Sequence, residues 1–139
     1  MAGPHNPEAN KALIRELFAA WSAHDVPRAA ACVADECNGG GRAGFTTEMT
    51  AFLAAFPDLN VTVEDILAEG DRVATRVTMR ATQQGEISGV APTGRPVVMK
   101  ANHIFRCANG LIVQRHGQMD RLEVMMQLGL RIDPQPRPH

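Results

Sequence analysis

The chain has no tyrosine and a single tryptophan, so aromatic contact with any ligand falls to Trp21 and a few phenylalanines. Its three cysteines, Cys32, Cys37 and Cys107, are odd in number and show neither a CxxC nor a paired metal spacing. That pattern argues against a disulfide framework or a structural zinc, and reduced thiols in the cytoplasm are the expectation. No apolar run approaches the length of a membrane span. The opening MAGPHNPEAN lacks both a basic region and an apolar stretch, so no secretory signal is visible. An excess of one charge is missing too: 14 Lys and Arg stand against 15 Asp and Glu, a net charge of −1. Nucleic acid and anionic membrane need clustered positive charge, and single scattered arginines suit a solvated surface instead. Neither GxxxxGK[ST] nor GxGxxG occurs, and Asn38-Gly39-Gly40-Gly41 is too irregular for a phosphate loop.

What is present is an ordinary globular composition, 45% hydrophobic, in 139 residues. One domain is expected over residues 1–139, with an ordered core at about 8–130 and loose tails at 1–7 and 131–139. Leu13, Ile14, Leu17, Phe18 and Trp21 recur at helical spacing and predict a first helix from Glu8 to about His24. Asp25 and Pro27 predict a short second helix over Pro27 to Val33. A third, capped by Thr46 or Thr47, carries Met49, Phe52, Leu53 and Phe56 and stops at Pro57. The period then changes to two. Asn60 to Ala68 and Arg72 to Thr82 read as strands about Gly70-Asp71, the second with Val73, Thr75, Val77 and Met79 on one face. A loop rich in glycine and proline spans 83–96, and a short helix through Leu122 to Leu128 ends at Gly129. Helices first and antiparallel strands after them predict an α+β fold with the helices packed on one face of a curved sheet.

Between loop and last helix lies the hairpin Val97 to Arg121, with Asn109-Gly110 suited to a two-residue type I′ turn. An unbroken register from that turn sets His103 opposite His116, Phe105 opposite Gln114, Ala101 opposite Gln118 and Met99 opposite Asp120. Opposed residues share a face, so His103, His116, Gln118 and Asp120 are expected to project together among Met99, Ala101, Phe105 and Ile112. A bulge would scatter them.

The order of elements resembles the nuclear transport factor 2-like fold, a cone-shaped α+β barrel whose curved antiparallel sheet is closed by N-terminal helices. The wording is closer still. Trp21 before His24-Asp25, FPDLNVTVEDILAEGDRVATRVTMRATQQGE, GVAPTGRPV, the NGLIV turn and DRLEVMMQLG are similar to SnoaL-like polyketide cyclases. The most specific parts are APTGR at 91–95 and Asp120, ten residues beyond Gly110. The resemblance implies a cofactor-free, metal-free intramolecular aldol condensation on a hydrophobic polycyclic substrate. It implies Asp120 as general acid/base, His103 as the histidine assisting the enolate oxygen, and Trp21 closing the pocket. His116 stands where relatives often have a large aromatic residue, and ECNGGGR at 36–42 lacks a histidine often found there.

Proton removal beside a carbonyl needs a base in an apolar pocket and a donor for the enolate oxygen, which His103, His116 or Gln118 would supply. Phe18, Phe56, Met79 and Met99 are the expected apolar lining beside Trp21. Against this, Asp120 directly before Arg-Leu-Glu suits a helix N-cap, and the two histidines could form a core pair. A Zn or Fe(II) site of His103, His116 and Asp120 is chemically conceivable, although the family look counts against it. An epoxide hydrolase or an isomerase on the same fold is the alternative within this class, and the hydrolase would want a second acid, for which Asp35, Glu36 and Glu64 are the candidates. A non-catalytic binding or dimeric module is the alternative of another class. Val98, Ile104, Val113 and Met119, on the opposite face of the hairpin, predict a homodimer.

Overall fold

A computed structural model describes residues 6–131. The element order is α1 (Pro7–Ser22), α2 (Val26–Ala30), α3 (Gly41–Ala55), β1 (Asn60–Glu69), β2 (Arg72–Thr82), β3 (Pro96–Ala108), β4 (Leu111–Met119) and α4 (Arg121–Gln127). The four strands form one antiparallel sheet in the order β1-β2-β3-β4. This is the predicted α+β arrangement, with the difference that the sheet itself stays open and helices complete the cone. The expected loose ends lie outside the described residues, apart from Asn6, which caps α1, Pro7, its first residue, and Arg131.

Local chemistry accounts for most boundaries. Asn6 caps α1 by accepting from the Ala9 amide, and Asp25 caps α2 through the Arg28 amide. Helix α3 starts about five residues before the predicted cap. Thr46 instead donates its hydroxyl to the Arg42 carbonyl inside the helix. The early start depends on glycine: a Cβ on Gly41 would stand 2.1 Å from the Asp35 carbonyl oxygen, and one on Gly44 2.0 Å from that of Gly39. Sequence periodicity does not reveal such backbone-on-backbone packing.

The loop at 83–96 is fixed from inside by Gln83, whose side chain is fully buried. Its amide nitrogen donates to the carbonyls of Gly85, Val90 and Ala91, and its amide oxygen accepts from the Thr93 amide and hydroxyl. The APTGR stretch is therefore the rim of a ring built around one glutamine.

The core has two parts. One joins α1, α2 and α3 to the inner face of the sheet through Ile14, Leu17, Met49, Val77 and Ile112. The other joins Phe56, Leu59, Val97 and Met99 to Val124 and Leu128 of α4. No helix among the described residues is long and apolar enough to cross a membrane.

Candidate functional site in the cone

The last hairpin decides which side chains enter the cone. Its turn is as expected: Asn109 and Gly110 both have positive φ, and Ala108 pairs with Leu111. The register then shifts. Cys107 pairs with Ile112 but Arg106 pairs with Gln114, so Val113 is an extra residue on β4. Beyond it Phe105 faces Arg115, Ile104 faces His116, His103 faces Gly117 and Ala101 faces Met119. The unbroken register expected from the turn is thus corrected, and every later side chain of β4 changes face. The cause is the segment just after α2. The Ile112 amide donates to the Cys32 carbonyl and the Ala34 amide to the Ile112 carbonyl, fixing Ile112 inward before the bulge. Past it, the Asn38 side chain accepts from the Arg115 amide and donates to the Arg115 carbonyl, both at 2.8 Å.

The consequences for the predicted residues are definite. His103 stays on the inner face. His116 and Gln118 take register positions on the outer face, and both still contribute to the lining of the cavity. Asp120 is exposed and caps α4, its carboxylate accepting from the Glu123 amide at 3.0 Å. It borders shallow depressions outside the cone rather than the cavity. The proposed grouping of His103, His116 and Asp120 is therefore not assembled, and no cluster of three metal-ligating side chains occurs among the described residues. Met119 turns inward against both parts of the core, contrary to its expected place on the outer face. Trp21, Phe18 and Met79 do line the cavity. Phe56 and Met99 are fully buried in the second part of the core and do not.

The cavity has a volume of about 500 Å³, enclosed by α1, α3 and the inner face of the sheet. A larger and more open depression, about 880 Å³, is lined by Leu67, Ala74 and Ile104 of the outer face and also by Thr75, His103 and Arg115. Trp21 forms one cavity wall, edge-on to Phe45 and Phe52 at 6.1 and 5.6 Å. Opposite, the His103 ring stacks on Phe105 at 5.5 Å and lies 5.6 Å from Phe18. Burial, and then the positive charge of Arg115, push the His103 imidazole below its ordinary pKa. The ring is therefore neutral at pH 7. Nδ1 is buried without a partner, and an orphaned lone pair is less costly there than an orphaned N–H. The proton accordingly belongs on Nε2, which makes that edge of the ring a hydrogen-bond donor.

Two residues that sequence reasoning missed complete the polar wall. Arg115, which the bulge at Val113 turns inward, donates from Nη2 to Glu48 Oε2 at 2.8 Å and lies 5.2 Å over the Phe45 ring. Its Nε, like Thr75 Oγ1 beside His103 in the register, is buried and without a partner. Arg115 and His103 line the cavity whereas Thr75 lines the larger depression, and buried polar atoms without partners are uncommon in folded proteins. Glu48 was legible in principle. It interrupts the apolar stripe Phe45, Met49, Phe52 at helical spacing.

The model of the SnoaL-like polyketide cyclase family matches residues 11–128. The chain belongs to this family. Among solved structures, it is 32% identical to AclR, a candidate hydroxylase from Streptomyces galilaeus, over 89% of this chain and 98% of that one, with a TM-score of 0.80. IdmH, a candidate polyketide cyclase from Streptomyces antibioticus, is 31% identical over 87% and 99%, with a TM-score of 0.71. TsrD from Streptomyces laurentii is 26% identical over 89% and 97%, with a TM-score of 0.83. No curated protein matches the chain.

Proposed function

We propose that this SnoaL-like protein is a small enzyme of the polyketide cyclase type, performing acid/base chemistry without a cofactor on a hydrophobic polycyclic substrate held in the cone. The observation that carries the reading is the His103 imidazole on the cavity wall, stacked on Phe105 and held below its ordinary pKa by burial. A carbonyl oxygen bound there would accept from Nε2–H, and the bond strengthens as the oxygen gains negative charge during enolisation. Preorganised donors of this kind typically lower a barrier by a few kcal/mol. The Trp21, Phe18 and Met79 walls suit flat apolar rings. In this reading His103 keeps the role that the family resemblance implies, whereas Asp120 serves as a helix cap.

The test is turnover of tri- and tetracyclic polyketides by wild type and His103→Gln. A ring closure in wild type that falls about a hundredfold in the variant, with substrate binding retained, supports the proposal. Equal rates would remove His103 from the chemistry. The 32% identity to a candidate hydroxylase favours a second reading, oxygenation of a similar aromatic substrate in the same cavity. Product mass separates the two, since cyclisation by aldol addition conserves mass and hydroxylation adds one oxygen.

A further inference from the structure

If the cone is an acid/base site, it requires a base, and the residue implied by family resemblance lies outside it. Among the described residues, Glu48 is the one carboxylate that lines the cavity. It stands on α3 between Phe45 and Phe52, the two rings that contact Trp21 edge-on. Its position is set by Arg115 at 2.8 Å, and Arg115 in turn is fixed at its backbone by both polar atoms of the Asn38 side chain. Only Oε2 is engaged by Arg115; Oε1 has no partner among the described residues. The Glu48 side chain is 63% exposed, so it stands at the mouth of the cavity in contact with solvent, which provides a route for proton exchange.

The geometry points to Glu48, on the third helix, as the catalytic base of the cone, with Arg115 as its positioning residue. This rests on the acid/base reading above. In the step, Oε1 takes a proton from the carbon next to the substrate carbonyl. The C–H electron pair forms the enolate double bond, and the carbonyl oxygen, now negative, accepts from His103 Nε2–H. The enolate carbon then bonds to a second carbonyl carbon of the same substrate. The alkoxide so formed takes the proton back from Glu48, leaving carboxylate and catalyst unchanged. No oxidant or co-reactant is needed.

The experiment is hydrogen–deuterium exchange at the carbons next to the carbonyl of 2-tetralone, followed by NMR in deuterated buffer. It compares wild type with Glu48→Gln, Glu48→Asp and Asp120→Asn. Glutamine keeps an oxygen for Arg115 and removes the basic group, so an unchanged melting temperature is expected. Wild-type acceleration that falls a hundredfold or more in Glu48→Gln and partly returns in Glu48→Asp supports Glu48. Acceleration that survives in Glu48→Gln, or that disappears in Asp120→Asn instead, overturns Glu48 and leaves the acid/base reading standing. A wild type that exchanges no faster than buffer overturns the acid/base reading, and Glu48 with it.

Discussion

His103 occupies the space that a side chain at Gly117 would fill. The two are direct partners across β3 and β4, and a Cβ on Gly117 would stand 2.5 Å from Cδ2 of the ring and 3.0 Å from Nε2. The histidine that remains inside the cone is thus seated by the absence of a neighbour. Gly117→Ala is expected to push the ring off Phe105 and to lower turnover while the protein stays folded. Near-ultraviolet circular dichroism together with the tetralone exchange rate checks this, and an unchanged rate would contradict it.

Acidification reports on the same ring. Burial and Arg115 hold the folded-state pKa of His103 below its ordinary 6.5, so the unfolded chain binds the extra proton first. The contribution to stability is therefore complete above about 6.5 and is lost as pH falls through the folded value. Wild type should lose stability over that window more steeply than His103→Gln, as measured by urea denaturation at several pH values. Parallel curves would show that the ring titrates as it does in the unfolded chain.

Asp120 gives a contrasting outcome. Its carboxylate caps α4 through the Glu123 amide. Asp120→Ala is expected to cost about 1 kcal/mol and Asp120→Asn only a few tenths, because asparagine caps nearly as well. Denaturant midpoints decide it. A stability loss as large in Asn as in Ala would contradict the capping account.

Most of the fold is legible in the sequence, because helical and twofold periodicities fall in separate halves of the chain. Trp21, Phe18 and Met79 follow from that patterning, as does the type I′ turn at Asn109-Gly110. What the pattern could not show is the single extra residue at Val113. That bulge exchanges His116 and Gln118 for Arg115 and Gly117 on the inner face. It depends on main-chain bonds from Cys32 and Ala34, some eighty residues earlier in the chain, to which side-chain periodicity is blind. The early start of α3 has a similar origin in glycine backbones lying against one another.

The loop at 83–96 depends on one buried amide. Gln83→Ala would leave the carbonyls of Gly85, Val90 and Ala91 and the Thr93 amide without their partner. A loss of about 2–3 kcal/mol is expected from buried groups left unsatisfied. Thermal denaturation measures it, and a change under half a kcal/mol would show that water replaces the side chain.

The outer face carries exposed Leu67, Ile104 and Val98 at 70%, 49% and 37% of full exposure. Leu67, Ala74, Ile104 and His116 follow one another across the four strands. A homodimer formed through this face remains our expectation. Sedimentation should show concentration-dependent association that Ile104→Lys abolishes, and a wild type that stays monomeric at all concentrations would contradict it.

The central claim is that ligand chemistry occurs inside the cone at His103 and not at its neighbour His116. Long-range proton–nitrogen NMR of the two imidazoles, recorded while 2-tetralone is added, tests it most directly. The account predicts a neutral His103 ring protonated at Nε2 whose Nε2 signal moves on titration, and moves more than the signals of His116. Movement of the His116 signals alone would separate the ligand from His103 and contradict the account.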